Sequence, residues 1–346
     1  MGFIRNLDTG MRRLGFLDVL ISDCITPTEL MDANTLGSRL WDKIRDKQLD
    51  WLQELARRRG LKNEVGRLSP ATAARYVKLA SELGFLTEGP NKSLSDLGKT
   101  FGAFRRSRFY LDENPGQRLL YLREIVVRKD SLIIPGLFQF ISSKLTVDKD
   151  SVFEWFANKF ANNIDRNGSV SDSLRVRLKN TSSLYATGVS RKKAKDRIKH
   201  MVETRLEQLV DLVALTKREG PIYSANELGK RLATKLSTDE EFYKTVGDFF
   251  GAIKLAGTIE ITKKILFFFQ KLAQPPLNLV PIAMMHDLII ISSMISDGSV
   301  VLPTDLDNVE RALARKFYGN VVFFEGSGTK ATHVTITDVK AIEREL

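Results

Sequence analysis

The chain has 346 residues, of which 43% are hydrophobic and 27% charged, so its length and composition predict two or three domains with real cores. Cys24 is its only cysteine, which excludes an intrachain disulfide and a thiolate zinc finger and fits a reducing compartment. The formal charge of +11 favours a polyanionic partner: DNA, RNA or an acidic membrane surface.

The first predicted element is a core helix over Leu14–Ile21. Arginines precede this apolar run as in a signal peptide, but Asp18 interrupts it and no clear small-residue cleavage site follows. The longest apolar run, Leu277–Ile295, contains Pro281 and is barely long enough to span a membrane, so it predicts a buried helix from about Ala283 to Ile295. We therefore expect no membrane partner and a cytoplasmic location, nucleoid-associated in a prokaryote.

A capped helix is predicted over residues 69–84. Ser69 suits the N-cap, Pro70 the first turn and Gly84 the position after the last turn. Its apolar face consists of Ala73, Tyr76, Val77, Ala80 and Leu83. A helix over 50–61 precedes it, and short strands at 85–87 and 94 flank a turn at 88–93.

Two helices followed by a two-stranded hairpin, in LASELGFLTEG and SLSDLGK, resemble the winged helix-turn-helix superfamily over roughly residues 40–104. This resemblance implies a DNA-binding unit whose second helix faces the duplex and whose hairpin forms a wing. The Gly-Lys-Thr at 98–100 is not the end of a phosphate loop, because Ser93 stands where such a loop needs glycine. ELGKRL at 227–232 repeats Leu-Gly-Lys without the hydroxyl, so we interpret both glycines as turns of positive φ after a wing strand.

Residues 117–127, 133–145, 151–162 and 240–272 have helical periodicity and are predicted to form helical spacers. Residues 163–190 are rich in Asn, Ser, Gly and Thr without strong apolar periodicity, which predicts a loop or linker.

A second copy of the unit is predicted after Ser190. Its buried helix face repeats the spacing of the first and consists of Val202, Leu206, Leu209 and Leu212. The hairpin follows at 214–224, with its turn at 218–221. In a third region, Thr304 is predicted to cap a helix through Phe317, which precedes a hairpin around the Gly-Ser-Gly turn at 326–328.

The predicted fold class is mainly α with small β-hairpins, as tandem winged-helix units joined by helical spacers. The predicted domains are N-terminal helices with the first winged helix at 1–112, a helical spacer at 113–170, a basic linker with the second winged helix at 171–239, and a helical region at 240–346. This last region holds a candidate third winged helix over about 283–346.

Positive charge is concentrated beside the two copies: residues 171–205 contain ten Lys or Arg against three Asp or Glu. The candidates for base contacts are Thr72, Arg75 and Lys78, on the outer stripe of the predicted helix over 69–84. Arg and Lys suit the acceptor atoms of guanine. The candidates for phosphate contacts are Arg57, Arg58, Arg59, Arg67, Lys99, Arg105, Arg191, Lys192, Lys193, Lys195, Arg197, Lys199 and Lys330.

In the second copy, the outer stripe of the corresponding helix is less basic and consists of Thr204, Glu207, Gln208 and Asp211. The second copy is therefore predicted either to hold DNA mainly through residues 191–199 or to contact protein.

We predict no catalytic residue, no metal ligand and no cofactor. His200, His286 and His333 have no partner at metal-ligand spacing, and no Gly-x-Ser-x-Gly segment occurs.

The leading functional prediction is a double-stranded DNA-binding protein, either a transcription regulator or the recognition component of a restriction or defence system. Tandem winged helices with helical spacers look like the recognition regions of some type IIS restriction enzymes, in architecture alone. A protein partner, such as a nuclease or regulatory subunit, is compatible with this prediction. The alternatives are a protein–protein adaptor built on winged helices and a nuclease with an unrecognised active site.

Overall fold

The computed structural model describes residues 11–105, 111, 114–161, 164, 170–187, 191–234, 236–252, 254–325 and 331–346. The helices are α1 (Leu14–Asp23), α2 (Ala33–Ile44), α3 (Gln48–Arg58), α4 (Pro70–Glu82), α5 (Asp96–Ala103), α6 (Pro115–Leu122), α7 (Ile134–Ser142), α8 (Lys149–Trp155), α9 (Asp172–Ala186), α10 (Arg191–Ile198), α11 (Thr204–Asp211), α12 (Glu227–Arg231), α13 (Asp239–Phe249), α14 (Thr258–Leu272), α15 (Ile282–Ser292), α16 (Pro303–Lys316) and α17 (Val339–Glu343). π-helical segments continue α6, α8 and α15 and join α10 to α11.

The strands are short and form small sheets: β1 (Met31–Asp32), β2 (Asn91–Lys92), β3 (Val147–Asp148), β4 (Leu215–Arg218), β5 (Ile222–Ala225), β6 (Lys254–Leu255), β7 (Val280–Pro281), β8 (Ser299–Val300), β9 (Val321–Glu325) and β10 (Ala331–Ile336). The coarse prediction of a mainly α fold with small β-hairpins is confirmed. The chain divides into two compact units, one from the described residues of Met1–Ser95 and Phe104–Thr238, the other from Asp96–Ala103 and Asp239–Leu346.

One topology recurs within the first unit. In the first module, residues 31–95, β1 leads into α2, α3 and α4, and a hairpin closes through a bridge between Leu86 and Leu94. β1 then pairs with the second hairpin strand, Met31 opposite Lys92. The second module, residues 147–225, repeats this order, with Val147 opposite Tyr223 and sheet order β3-β5-β4. The second module, by its topology, begins at β3, upstream of Ser190, near which the second winged-helix unit was predicted to begin.

The two modules also begin with the same cap. Asp32 accepts hydrogen bonds from the backbone N–H groups of Asn34 and Thr35, both at 3.0 Å, and so starts α2. Asp148 accepts from Ser151 N–H at 2.9 Å and starts α8 in the same way. A capping carboxylate satisfies N–H groups that have no partner within the helix. The repeated Asp-x-x-Thr/Ser spacing therefore marks the start of each module.

The second unit contains a related arrangement, the third module, residues 280–336. β7 precedes α15 and pairs with β10, which also pairs with β9, so the sheet order is β7-β10-β9. Between α15 and α16 the described chain forms the short strand β8, which pairs in parallel with β6, where the other modules have a helix.

A left-handed residue lies between the last helix and the hairpin of each module. These residues are Gly84 with φ +82°, Val213 with φ +57° and Gly319 with φ +87°. Glycine adopts this conformation at little cost, whereas a β-branched residue is strained there. Val213 thus adopts the same left-handed backbone conformation as Gly84, although valine disfavours it. This shared conformation supports the alignment of the two modules.

The prediction of a loop or linker at 163–190 is wrong over Asp172–Ala186, which forms α9. Its buried face includes Thr181 and Ser182, which gave no apolar signal. Both hydroxyls are satisfied by backbone carbonyls: Thr181 donates to Arg177 at 2.9 Å and Ser182 to Ala157 at 2.6 Å. Small hydroxyl side chains can therefore pack inside without the apolar periodicity that the prediction required.

The segment 191–199 is not a linker before the second helix, because α10 begins at Arg191 and runs through a π-helical turn into α11. Ala194 and Ile198 are buried four residues apart and hold its inner face. Relative to α4, this helix is extended at its N-terminus by the basic residues.

Two further local predictions are corrected. Thr304 does not cap α16, because Pro303 occupies the first turn and Leu302 becomes the N-cap residue, whose N–H donates to Asp305 at 3.1 Å. The predicted helix over 240–272 consists of α13 and α14, separated by β6.

The glycines of the two Leu-Gly-Lys segments were predicted to make turns of positive φ, and this is wrong. Gly98 lies inside α5 and Gly229 inside α12, and neither has positive φ. At Gly229 a Cβ would overlap the carbonyl oxygen of Ala214. Close approach of the helix to the turn before β4, not backbone conformation, therefore requires glycine there.

The two apolar runs form core helices, as predicted. α1 buries its residues from Leu14 to Ile21, and α15 buries most of Ile282–Ser292. Within the described part of the chain, no helix combines the length and apolar character that crossing a bilayer requires.

Candidate nucleic-acid interface

α4 carries the predicted base-reading residues. Ser69 accepts from Thr72 N–H at 3.2 Å and starts the helix as predicted. Tyr76, Val77 and Ala80 are buried on its inner face, whereas Arg75 and Lys78 are exposed on the other. Thr72 is half-buried, and its hydroxyl lies 3.0 Å from that of Ser69, within the cap. Arg75 and Lys78 therefore form the accessible part of the predicted stripe.

Arg57 and Arg58 extend this positive surface from the end of α3. Both side chains are exposed and pair with Glu54, at 2.7 and 2.8 Å. Their hydrogen bonds lower the pKa of Glu54 to about 2. Exposed pairs of this kind contribute little to stability, so phosphate could displace the carboxylate at little cost. Arg67, in the segment before α4, is also exposed.

Arg59 and Arg105 point into the protein and are removed from the candidate interface. Arg59 binds Glu64 and Asp211, each at 2.7 Å, with 18% of its side chain exposed. Arg105 binds Asp23 at 3.0 Å and Asp18 at 3.6 Å, with 14% exposed. The sequence showed two cations near basic clusters but not the carboxylates that the fold brings to them.

The two remaining isolated candidates lie elsewhere. Lys99 is on α5, half-exposed, with its ammonium 3.4 Å from Asp96 one turn earlier. Lys330 lies outside the described residues.

α10 presents the second group of predicted cations. Lys192, Lys193, Lys195 and Arg197 are exposed and Lys199 is half-buried, around the buried pair Ala194 and Ile198. Lys195 pairs with Asp150 at 2.9 Å. Arg191 begins the helix. The basic residues predicted to cluster here lie on one helical segment, and Asp196 is the acidic residue among them.

The outer stripe of α11 is buried, unlike that of α4. Thr204, Glu207, Gln208 and Asp211 are all at most 3% exposed. Gln208 donates to the carbonyl of Met11 at 2.8 Å, and Asp211 accepts from Leu14 N–H at 2.8 Å. The start of α1 thus covers this stripe from within the chain.

An interior ion cluster forms at this contact. We name it the Arg13 cluster; it contains three cations and three carboxylates: Arg13, Arg59, Lys217, Glu64, Glu207 and Asp211. The Arg13 guanidinium lies 2.7 Å from Asp211 and also binds Glu207. Tyr223 donates to Glu207 at 2.8 Å. Equal numbers of opposite charges let this group stay ionised away from water.

The pKa values of the cluster show how strongly its charges interact. Burial acts to raise the pKa of Glu64, but the charges of Arg13, Arg59 and Lys217 outweigh it and lower that pKa to about 2. Burial likewise opposes ionisation of Glu207, yet Arg13 and Lys217 keep its pKa below the ordinary value. Glu64 and Glu207 are therefore charged at neutral pH.

A second buried ion pair holds the same helix from another side. Arg205 binds Asp130 through two hydrogen bonds of 3.0 Å, and both side chains are at most 1% exposed. α10 and α11 form one continuous helical segment. Because α11 is held in the interior, α10 is the part of this segment that a ligand can reach.

Comparison with known proteins did not identify a relative: no family model, curated protein or solved structure matches the chain significantly.

Sequence reasoning missed Arg13 and placed Asp211 on an outer stripe, although these two residues pair in the interior. It also missed Arg311 and Arg315, which are exposed on α16 with helical i, i+4 spacing. The apolar periodicity of α16 could have located Arg311 and Arg315, because its buried residues define the opposite face. These buried residues are Leu306, Val309, Glu310 and Leu313.

Proposed function

We propose that this protein binds double-stranded DNA through tandem winged-helix modules, as a transcription regulator or as the recognition component of a restriction or defence system. The observation that carries the proposal is the recurrence of one topology, in which a helix with exposed cations directly precedes a strand-paired hairpin. Helix-turn-helix proteins place this helix in the major groove.

The first module is the proposed base-reading element. Arg75 and Lys78 are three residues apart on the exposed face of α4, so they would enter the groove together. Both residue types suit the guanine O6 and N7 acceptors. Arg57, Arg58 and Arg67 would contact phosphates, which fixes the register without reading sequence.

The second module is proposed to grip the backbone only. Its residues aligned with Arg75 and Lys78 are Thr204 and Glu207, which are buried against the start of α1. The cations of α10 would instead neutralise phosphates along the exposed N-terminal extension of the helix. Such contacts raise affinity for any sequence and release counterions.

The third module would add a weaker contact through Arg311 and Arg315, which are exposed on α16. With several such helices in one chain, contact with an extended duplex would not require a symmetric dimer.

A duplex titration at several salt concentrations tests the proposal. The full chain is mixed with a fluorescent random-sequence duplex, and anisotropy is measured at about 50, 100 and 200 mM salt. Simultaneous contact with six or more phosphates predicts a loss of affinity of roughly 1,000-fold or more across this range. Absence of binding at the lowest salt, or binding that salt leaves unchanged, would contradict the proposal.

Selection from a pool of random duplexes then separates sequence recognition from charge attraction. Recovery of a shared motif supports base reading by α4, and each mismatch in that motif should cost about 1–3 kcal/mol. Recovery of unrelated sequences would restrict the protein to backbone binding.

A further inference from the structure

A histidine and two carboxylates converge in the second unit. His286 lies on α15, and Asp307 and Glu310 lie three residues apart on α16. His286 Nε2 is 2.7 Å from Glu310 Oε1, and one ligand atom of each of the three residues lies within 4.8 Å of the others. No metal ligand was predicted at His286, because Asp307 and Glu310 lie 21 and 24 positions further along the chain, on another helix.

Glu310 is the buried carboxylate of this group, whereas His286 and Asp307 are accessible to solvent. The Glu310 side chain is 9% exposed and that of His286 14%. Within the described part of the chain His286 is the partner of Glu310, and Asp307 makes no ion pair. A buried carboxylate is costly unless a cation or several hydrogen-bond donors compensate it. Two carboxylates beside one imidazole therefore suit a divalent cation.

We propose that His286, Asp307 and Glu310 bind a divalent transition-metal ion of the Zn²⁺ and Mn²⁺ class. One imidazole nitrogen and two carboxylate oxygens form a ligand set that these ions accept, whereas Mg²⁺ prefers oxygen ligands alone. Ligands at ~2.0–2.2 Å from zinc lie about 3.3–3.6 Å apart in a tetrahedral site. The three ligand atoms, which now lie within 4.8 Å of one another, would have to approach by about 1 Å to reach that spacing.

The metal would join α15 to α16 and so brace the third module. His286 and Glu310 already link these helices, and a metal would add Asp307 to the same link. Because unfolding separates the helices and destroys the site, bound metal must stabilise the folded chain.

The primary experiment is calorimetric titration of the chelator-treated full chain with Zn²⁺, Mn²⁺ or Mg²⁺. We expect one equivalent of Zn²⁺ or Mn²⁺ to bind, with a rise in the melting temperature, and little response to Mg²⁺. Binding of Co²⁺ supplies a visible absorption signature that His286→Ala should remove. The proposal would be overturned if none of the transition metals bound stoichiometrically.

Asp307→Asn is the decisive variant, because Asp307 forms no ion pair in the described structure and its replacement should leave the metal-free melting temperature unchanged. Its metal affinity should fall at least about 10-fold, the loss typical even of residues that only support a ligand. His200→Ala and His333→Ala remove the other histidines and should retain full binding. Binding that survives Asp307→Asn together with Glu310→Gln, or that disappears with His200 or His333, would place the metal elsewhere and overturn the proposal.

Discussion

Arg13 and Asp211 are 198 residues apart in the chain, yet Arg13 Nη1 lies 2.7 Å from Asp211 Oδ1 in the interior of the first unit. Both side chains are at most 2% exposed. The adjacent Leu14 N–H donates to the other oxygen of Asp211 at 2.8 Å. The beginning of α1 thus covers the face of α11 that corresponds to the exposed face of α4.

Arg13→Met should strongly destabilise the first unit. It leaves Glu207 and Asp211 buried with one cation fewer, and removing one partner of a buried ion pair typically costs ~3–5 kcal/mol. Chemical denaturation measures the loss. Arg12→Met is the control: Arg12 is 21% exposed and lies 3.6 Å from Glu203, so its loss should cost about 1 kcal/mol or less. Equal effects of the two substitutions would contradict the role of the cluster.

The same cluster predicts a dependence of stability on acid. The pKa of Glu64 is about 2 in the folded chain, below its ordinary value of 4.5, so its ionised form stabilises the fold. This contribution is complete above pH 4.5 and is lost as the pH falls towards 2, on the order of 3 kcal/mol in all. Unfolding free energies of the wild type and Glu64→Gln should therefore converge on acidification. A difference that does not change between pH 6 and pH 3 would refute this assignment.

Val213→Gly should stabilise the second module. Val213 has φ +57° and a side chain 47% exposed, so the substitution relieves backbone strain and removes little packing. Relief of ~1–2 kcal/mol is partly offset by the larger backbone entropy of glycine in the unfolded chain, about 0.5–1 kcal/mol. The melting temperature should rise modestly. At the aligned Gly84, φ +82°, the reverse change Gly84→Ala should lower it.

Gly229→Ala should destabilise the chain although alanine favours helices. A Cβ at Gly229 would overlap the carbonyl oxygen of Ala214, and overpacking of this kind typically costs ~1–3 kcal/mol. Gly102→Ala is the matched control, since Gly102 lies in a helix with no atom within 4 Å of its added Cβ. There the helix propensity of alanine should raise stability by up to ~1 kcal/mol. Thermal unfolding distinguishes the two.

Arg75→Ala with Lys78→Ala should weaken duplex binding and relax any selected sequence motif. Loss of a base contact costs about 1–3 kcal/mol, and each lost phosphate contact reduces the salt slope by about 0.9. Lys263→Ala removes an exposed charge on α14, outside the modules, and should change affinity little. If the double variant binds DNA like the wild type, α4 does not face the duplex, and the adaptor hypothesis gains support.

Much of the architecture could be predicted because it depends on local pattern. Caps and apolar spacing located α1, α4, the helix of the second copy and the hairpins. α9 was missed because Thr181 and Ser182 lie on its buried face, where satisfied hydroxyls replace apolar side chains. The start of the second module was missed because a two-residue strand carries too little sequence to be recognised without its partner.

The sequence by itself determined several of the helices, the helix-ending glycines at 84 and 319 and the concentration of positive charge, since each follows from residues close together in the chain. Only the tertiary structure decided which charges remain outside. Arg75 and Lys193 stay exposed, whereas Arg59 and Arg105 meet carboxylates from distant segments and turn inward. The fate of a charged side chain depends on the balance between water and its neighbours, and those neighbours are assembled by folding.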